Sequence, residues 1–291
     1  LRTIFSLGMV ELVSYWKIAC PPKVVVQAGI INETQISWWK KLYYQGLGEF
    51  FYTNGIEADP DTFMDLLCEP SEDTARISDV FSFTGSALAT DPAASDCGCL
   101  IPVGGGKDSA CTIEMLKKSG HPLYTYIINP RGATLSTVKV SGLSEDHSIH
   151  VKRTLDKNML ELNRQGFLNG HTPFSALVAF SSVITARMYG LKYVALSNES
   201  SANESTVAGS TVNHQYSKSF EFEQDFHKYE KDWLGSGVYY FSMLRPLSEF
   251  QIAKYFAGAT AYHDIFRSCN AGSKQDIWCG HCPKCLFVFL I

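Results

Sequence analysis

A single stretch in the first half of the chain restricts the fold more than any other. The apolar run 99–103 is followed by three glycines and then by Lys107, Asp108 and Ser109. The run is typical of a buried strand, and apolar residues at helical spacing within 110–118 predict a helix directly after the turn. A strand, a glycine turn and a helix start hold polyphosphates well, because glycine admits close backbone approach and the first helical amides point at the anion.

Two side chains of this stretch add chemistry to the turn. Lys107 brings a positive charge, and Asp108 offers oxygen ligands suited to a Mg²⁺ ion that bridges phosphate oxygens. The stretch is not a Walker A loop, which has four residues between its glycines and a hydroxyl residue directly after its lysine. The alternative, a glycine-rich turn that binds no ligand, stays open from these residues alone.

Composition describes an ordinary globular protein. Hydrophobic residues make up 45% and charged residues 19% of the 291-residue chain, a length for which about two domains are expected. The net charge of −4 is opposite to the basic excess of nucleic-acid-binding surfaces, so no nucleic-acid partner is expected. No apolar run of about 18 residues and no secretory signal is visible, so we expect no membrane partner and a cytoplasmic location. The chain begins with Leu1 rather than Met and ends in an apolar run, and we expect an internal fragment.

The first 97 residues differ in character from those that follow. Residues 1–55 are rich in Trp, Tyr and Phe, and a helix is predicted at 36–44. Residues 56–97 are more acidic and contain Asp-Pro and Glu-Pro breaks, with a short helix predicted at 61–67. We expect residues 1–97 to form an accessory domain and linker whose aromatic residues pack in a core.

Strands and helices alternate from residue 98 onward. Apolar runs predict strands at 123–128 and 191–196, with a helix between them. Such alternation predicts a doubly wound α/β fold with a parallel sheet, whose ligands lie at the carboxyl ends of the strands. Asn129 follows the first of these strands, where a nucleotide base or ribose would lie, although a simple turn asparagine explains it equally well.

Two polar stretches supply further candidates. Glu199 and Glu204 lie in the small-residue loop after the strand at 191–196 and are candidates for Mg²⁺ binding or proton transfer, or are solvated carboxylates. Lys218 precedes a predicted helix and is a candidate for a second phosphate contact, or is an exposed lysine. His214, just before it, is a candidate base or a structural residue.

Four of the nine cysteines crowd together near the end of the chain. They are Cys269, Cys279, Cys282 and Cys285, the last three at C-x-x-C spacing. Four thiolates close a tetrahedral Zn²⁺ site, and such a closed site is structural rather than catalytic. A redox C-x-x-C pair is the main alternative, which the fourth cysteine disfavours. We therefore expect a catalytic domain at 98–268 and a zinc knuckle at 269–291.

Together these motifs resemble a known superfamily. The stretch 104–109 resembles the PP-loop of the ATP pyrophosphatases, Ser-Gly-Gly-x-Asp-Ser, with Gly104 in place of the first serine. The cysteine knuckle is similar to that of the 7-cyano-7-deazaguanine synthases. The segments 197–204, 213–219 and 245–249, with the aromatic N-terminal region, resemble more closely the MurL family of UDP-N-acetyl-alpha-D-muramoyl-L-alanyl-L-glutamate epimerases.

The resemblance implies a chemistry in three steps. ATP and Mg²⁺ adenylate the α-carboxylate of the terminal L-glutamate of a UDP-muramoyl dipeptide, a base moves the acidified Cα proton, and hydrolysis gives the D-glutamate product with AMP and pyrophosphate. The residues that we assign to phosphate and nucleotide binding are Gly104, Gly105, Gly106, Lys107, Ser109 and Asn129. Lys107 and Lys218 would neutralise phosphate charge, and Asp108 would hold Mg²⁺. The candidates for the proton transfers are Glu199, Glu204 and His214.

Three other functions fit parts of the pattern. An amide- or nitrile-forming ligase of the deazaguanine type would be a compact single domain, which the aromatic N-terminal region disfavours. A tRNA-modifying PP-loop enzyme would need a basic surface, which the net charge of −4 disfavours. A nucleotide-binding module without catalysis is excluded by no residue.

Overall fold

The computed structural model describes residues 1–81, 98–203, 216–272 and 275–291. They form two compact units, each built from separate stretches of the chain. The first unit comprises the described parts of Leu1–Thr90, Thr154–Ile184 and Ala202–Gly237, and the second comprises those of Asp91–Arg153, Thr185–Ser201 and Val238–Ile291. Because both units are discontinuous, they do not follow a linear division at 97/98 and 268/269, and those functional boundaries stay a prediction.

The described residues contain eleven α-helices and seven strands. The helices are α1 (Arg2–Trp16), α2 (Glu33–Gly46), α3 (Gly48–Thr53), α4 (Glu72–Arg76), α5 (Lys107–Leu116), α6 (Gly132–Ser141), α7 (Lys157–Arg164), α8 (Phe174–Met188), α9 (Phe220–Tyr229), α10 (Glu249–Ala257) and α11 (Pro283–Leu290). The strands are β1 (Lys23–Val26), β2 (Asp65–Cys68), β3 (Cys99–Pro102), β4 (Leu123–Ile128), β5 (Ser148–Val151), β6 (Tyr193–Leu196) and β7 (Tyr239–Ser242).

A five-stranded parallel sheet in the order β5-β4-β3-β6-β7 lies at the centre of the second unit. Strand β3 pairs with β4 on one side, where Cys99 is opposite Leu123, and with β6 on the other, where Cys99 is opposite Tyr193. The order runs outward from β3 to β5 and then resumes on the other side with β6 and β7. This is the doubly wound α/β fold expected from the sequence, and its winding reverses between β3 and β6. Ligands of such sheets bind at the carboxyl ends of the strands at that reversal.

Burial explains why the central strands read as apolar runs. Parallel sheets are covered on both faces, and Leu100 and Ile101 of β3 are accordingly fully buried. Helix α5 packs against α10 in an apolar cluster that includes Ala110, Cys111 and Ile252. The packing of β3 and α5 places the turn between them at the sheet edge where the winding reverses.

The first unit has a separate aromatic core. Its strands β1 and β2 pair in parallel, with Lys23 opposite Asp65. Trp39, Tyr43 and Phe180 are fully buried there, and the rings of Trp39 and Phe180 stack with their centroids 5.3 Å apart. Aromatic rings bury large apolar areas, so these residues of the N-terminal region stabilise a packed core, as expected.

One predicted element is wrong. The helix expected at 61–67 is absent from the structure, and its second half lies in β2 (Asp65–Cys68). Pairing of β2 with β1 is the reason, because it satisfies the backbone groups of these residues across the ladder. Among the described residues, no helix combines the length and the apolar character needed to cross a membrane.

Candidate active site

The glycine turn between β3 and α5 requires glycine at two of its three positions. Gly105 has a φ of 81°, and a Cβ there would lie 3.0 Å from Cβ of Ala133. A Cβ at Gly106 would lie 2.8 Å from Oγ of Ser268. A Cβ at Gly104 would contact nothing within 4 Å. The turn therefore accepts a side chain only at position 104, where the PP-loop pattern has serine.

The first turn of α5 presents backbone donors for an anion. Gly106 is the N-cap residue and has no side chain with which to cap the helix. Ser109 donates its hydroxyl to the carbonyl oxygen of Gly106 over 3.0 Å, which secures the first turn. Helix N-termini that follow a glycine turn attract phosphate through these amides and the helix dipole.

Lys107 is buried at the start of α5 between two carboxylates. Its Nζ lies 2.5 Å from Oδ1 of Asp108 and 2.6 Å from Oε2 of Glu249, the first residue of α10. Burial alone lowers the pKa of Lys107, but the charges and hydrogen bonds of Asp108 and Glu249 outweigh it and raise that pKa. The lysine is therefore charged at neutral pH and held in one position beside the turn.

The same two carboxylates fit a magnesium ion. Mg²⁺ takes oxygen ligands and is usually bound through one or two carboxylates plus substrate phosphates. The side chains of Asp108 and Glu249 are partly exposed, at 28% and 19%, so each can reach a ligand from solvent. Asp108 was expected from the sequence as the magnesium residue, and the structure adds Glu249 as an acid within reach of the same lysine.

The loop after β6 places a buried carboxylate at the same edge of the sheet. Glu199 is buried, and its Oε1 accepts a long hydrogen bond of 3.4 Å from Ser201. Arg245 donates from Nη1 to the backbone oxygen of Glu199 over 2.9 Å, which fixes the loop. Because β6 pairs with β3, Glu199 and the glycine turn follow neighbouring strands.

Asn129, which follows β4, has both ends of its amide paired with backbone. Its Nδ2 donates to the oxygen of Arg153 over 2.8 Å, and its Oδ1 accepts from the N–H of Arg153 over 2.9 Å. Its φ of 52° is a left-handed conformation that asparagine tolerates better than most residues. These bonds join the chain after β4 to the chain after β5, and a role in nucleotide binding stays a prediction.

The four cysteines meet as the spacing predicts. Their sulfur atoms all lie within 4.8 Å of one another. The separations from Cys269 to Cys282 and from Cys279 to Cys285 are both 3.8 Å. Zn–S bonds of about 2.3 Å at tetrahedral angles place sulfurs about 3.8 Å apart, so these four residues fit a structural zinc ion.

Backbone amides favour the thiolate form of two of these cysteines. Hydrogen bonding by the N–H of Cys285 is the main cause that lowers the pKa of Cys282, to about 5. The N–H groups of Cys279 and Gly272 likewise lower the pKa of Cys269. Thiolates are the form that binds metal, so the loop backbone prepares the site for a cation.

Comparison with known families decides which family the chain belongs to. The model described as the MurL N-terminal domain matches residues 1–243, most of the chain. The chain belongs to the MurL family. The resemblance drawn from its motifs is thereby confirmed.

Curated relatives carry the same family name. This MurL-family chain is 34% identical to the UDP-N-acetyl-alpha-D-muramoyl-L-alanyl-L-glutamate epimerase of Xanthomonas oryzae pv. oryzae strain MAFF 311018, over 98% of this chain and 60% of that protein. It is 33% identical to the epimerase of the same name from Salinispora tropica, over 99% of this chain and again 60% of that protein. The chain thus spans about 60% of the length of the curated relatives that it matches.

Among solved structures, the MurL-family chain is similar to a predicted subunit of tRNA methyltransferase from Methanocaldococcus jannaschii. The likeness covers 55% of this chain and 75% of that one, with a TM-score of 0.33 and 14% sequence identity. A similarity of this size carries no functional conclusion.

Three predicted site residues remain, namely Lys218, Glu204 and His214. Lys218 lies in the first unit, half-buried in the short 3₁₀ helix Tyr216–Lys218. Glu204 and His214 lie outside the described residues. The roles of all three stay predictions.

Sequence reasoning missed two residues that contact the turn or its neighbours. Glu249 begins α10 in the segment 245–249, which was noted only for its family resemblance. Asp276 lies between two of the cysteines, and its carboxylate accepts from the N–H groups of Gly132 and Ala133 at the start of α6. The available signal was weak, because a Ser-Glu helix start and a loop aspartate are common in any protein.

Proposed function

We propose that this chain is the part of a MurL-family epimerase that binds ATP and activates its substrate. In the proposed reaction, the terminal L-glutamate of UDP-N-acetylmuramoyl-L-alanyl-L-glutamate becomes D-glutamate, and ATP becomes AMP and pyrophosphate. The product is a precursor for peptidoglycan. The proposed enzyme acts on this small molecule in the cytoplasm and needs no nucleic-acid or membrane partner. The names of the curated relatives support the substrate.

One observation carries the ATP-dependent part of the proposal. The glycine turn lies at the point where the winding of the sheet reverses, with Lys107 and two carboxylates beside it. Turns of this kind at that point of a doubly wound sheet bind nucleotide phosphates.

The activation step forms a mixed anhydride. An oxygen of the substrate α-carboxylate attacks the α-phosphorus of ATP, and the bond from that phosphorus to the bridging β-phosphate oxygen breaks, releasing pyrophosphate. Amides of the turn and Lys107 stabilise the negative charge that builds on the phosphates, with Lys218 as the proposed second cation. Asp108 would hold Mg²⁺ with Glu249, and the ion would supply further charge neutralisation when bound.

Adenylation makes inversion at Cα possible. The acyl phosphate withdraws electrons from the neighbouring carbon, so a base can remove the Cα proton and an acid can return one to the opposite face. Water then attacks the carbonyl carbon, and AMP leaves. The candidates for the acid and base are Glu199, Glu204 and His214. Glu199 is supported by its burial in the loop that follows β6, the strand next to β3.

Deuterium incorporation tests the proposal. A protein of the full length of the curated relatives is incubated with ATP, Mg²⁺ and the UDP-muramoyl dipeptide in deuterated water. We expect substrate-dependent AMP and pyrophosphate together with deuterium at the glutamate Cα. Asp108→Asn should abolish pyrophosphate release without unfolding the protein. Asp146→Asn, at an exposed position, should release pyrophosphate like wild type.

Other outcomes of this experiment lead to other functions. AMP without deuterium at the glutamate Cα would support adenylation but refute epimerisation, and would favour a ligase. Absence of AMP would refute the ATP-dependent reaction with this substrate. Full activity of Asp108→Asn would refute the proposed role of Asp108 as a magnesium ligand.

A further inference from the structure

The segment that leads into the cysteine centre contacts the glycine turn directly. The backbone N–H of Arg267 donates to the oxygen of Gly105 over 2.8 Å. Ser268 packs against Gly106 so closely that a Cβ there would lie 2.8 Å from Oγ of Ser268. Cys269 follows Ser268 in the sequence, so a metal ligand is one residue away from a residue that touches the turn.

A second connection runs through Asp276. Its Oδ2 accepts from the N–H of Gly132 over 2.7 Å, and its Oδ1 accepts from the N–H of Ala133 over 3.0 Å. Ala133 is the residue against which Gly105 packs, with 3.0 Å between the Ala133 Cβ and a Cβ placed at Gly105. Asp276 thus holds the end of α6 that forms one wall of the turn.

Both connections depend on the loop between Cys269 and Cys279. Asp276 has a φ of 54°, a left-handed conformation that is uncommon outside glycine and that aspartate adopts more readily than most residues. Nε of Arg267 donates to the Asp276 backbone oxygen over 3.0 Å. The N–H groups of Gly272 and Cys279 both donate to the sulfur of Cys269, over 3.1 Å and 3.4 Å. The Cys269 sulfur therefore binds both described ends of the loop through hydrogen bonds.

We propose that Arg267, Ser268 and Asp276 are positioning residues through which the four-cysteine centre sets the conformation of the glycine turn. The turn binds nucleotide tightly only while the centre holds its metal. The effect on nucleotide binding rests on the proposed function, whereas the conformational connection does not.

The physical reason is that the metal closes the loop. Four thiolates held by one cation fix the ends of the loop, and the free energy of metal binding then keeps Asp276 where its carboxylate accepts from the N-terminus of α6. Without the metal nothing holds the four sulfur atoms together, and the loop relaxes. The carboxylate of Asp276 then leaves the N-terminus of α6, and Arg267 no longer holds Gly105.

Hydrogen exchange of the metal-loaded protein gives the first test. Asp276→Asn keeps the size of the side chain and tolerates positive φ, but it replaces one accepting oxygen with an amide that donates. We expect exchange of peptides that cover 103–110 and 131–136 to rise about tenfold, the effect of losing one helix cap on an opening equilibrium. Asp146→Asn is the matched control and should leave exchange unchanged. Equal exchange in Asp276→Asn and wild type, at equal zinc content, overturns the proposal.

Removal of the metal gives the second test. A chelator should raise exchange at 103–110 while α2, in the first unit, keeps its protection. A rise confined to 269–285 would refute the connection. If the chelated protein unfolds, so that α2 exchanges as well, the Asp276→Asn result decides alone.

Nucleotide affinity separates positioning from general damage. With zinc content held equal, Asp276→Asn should raise the Kd for α,β-methylene-ATP about tenfold. The control variant should bind like wild type. Wild type that fails to bind the analogue would refute the proposed function but leave the exchange result standing, so the two failures are distinguishable.

Discussion

Nζ of Lys107 lies 2.6 Å from Oε2 of Glu249, although 142 residues separate the two in the chain. Asp108 completes the group at 2.5 Å. A buried cation between two carboxylates is stable only as a set, because removing one partner leaves charge that the protein interior does not compensate. The two carboxylates hold the Lys107 ammonium in place at the start of α5, next to the glycine turn.

Glu249→Gln should therefore destabilise the protein. We expect a loss of about 1–3 kcal/mol in the free energy of unfolding, since Lys107 keeps Asp108 but loses a charged hydrogen bond. Glu161→Gln is the control, because Glu161 forms its ion pair with Arg164 at the surface and should cost less than about 0.5 kcal/mol. Urea unfolding of both variants measures the difference. Similar small losses in both would show that the buried group adds nothing to stability.

Backbone angles and contacts predict how much three glycine-to-alanine substitutions destabilise the protein, two of them in the glycine turn and one outside it. Gly105→Ala should cost the most, about 2–3 kcal/mol, because it combines a φ of 81° with contact at 3.0 Å to Ala133. Gly120→Ala, at a φ of 74° in open space, isolates the backbone term and should cost about 1 kcal/mol. Gly104→Ala should lie within about 0.5 kcal/mol of wild type. Thermal unfolding ranks the three, and a Gly104 variant as unstable as Gly105→Ala would contradict the described turn.

Local patterns explain which elements the sequence predicts. Strands β3 and β4 are buried on both faces, so each appears as an uninterrupted apolar run. Strand β5 was missed because Ser148 and His150 interrupt its apolar residues at the edge of the sheet. The helix expected at 61–67 failed because β2 is stabilised by pairing with a strand about 40 residues earlier, which no local pattern reports.

The same distinction holds for the site. Glycine, lysine and aspartate of the turn are neighbours in sequence, and C-x-x-C spacing is local, so both groups were predicted. Glu249 and Asp276 reach the site only after folding, from 142 and 144 residues away from Lys107 and Gly132. Their roles follow from tertiary packing and are visible only in the structure.

The cysteine centre predicts a metal-dependent stability. Cys282→Ser should reduce bound zinc from one ion per chain to near zero and lower Tm by about 5 °C or more, because a closed structural site contributes folding free energy. Cys68→Ser, in the first unit, is the control and should keep its zinc. Elemental analysis and thermal unfolding measure both. Wild-type protein isolated without metal, or a Cys282 variant that binds zinc like wild type, would refute the predicted zinc site.

Buried thiols in the second unit predict a loss of stability in alkali. Burial raises the pKa of Cys99 and that of Cys111 to about 12. The unfolded chain releases these protons near pH 9 while the folded chain keeps them, so unfolding is favoured as pH rises from about 9 toward 12. Each thiol then lowers the free energy of unfolding by up to about 1.4 kcal/mol per pH unit.

Cys111→Ala tests this contribution through the slope and not the absolute stability, since the lost packing costs the same at every pH. We expect the variant to lose stability less steeply than wild type between pH 9 and 10.5 in urea unfolding under reducing conditions. Ile113→Ala, which removes buried packing from the same helix but no titratable group, serves as the control and should keep the wild-type slope. Parallel slopes for wild type and Cys111→Ala would mean that the Cys111 thiol ionises as easily in the folded protein as in the unfolded chain, contrary to its burial against Ile252 and α10.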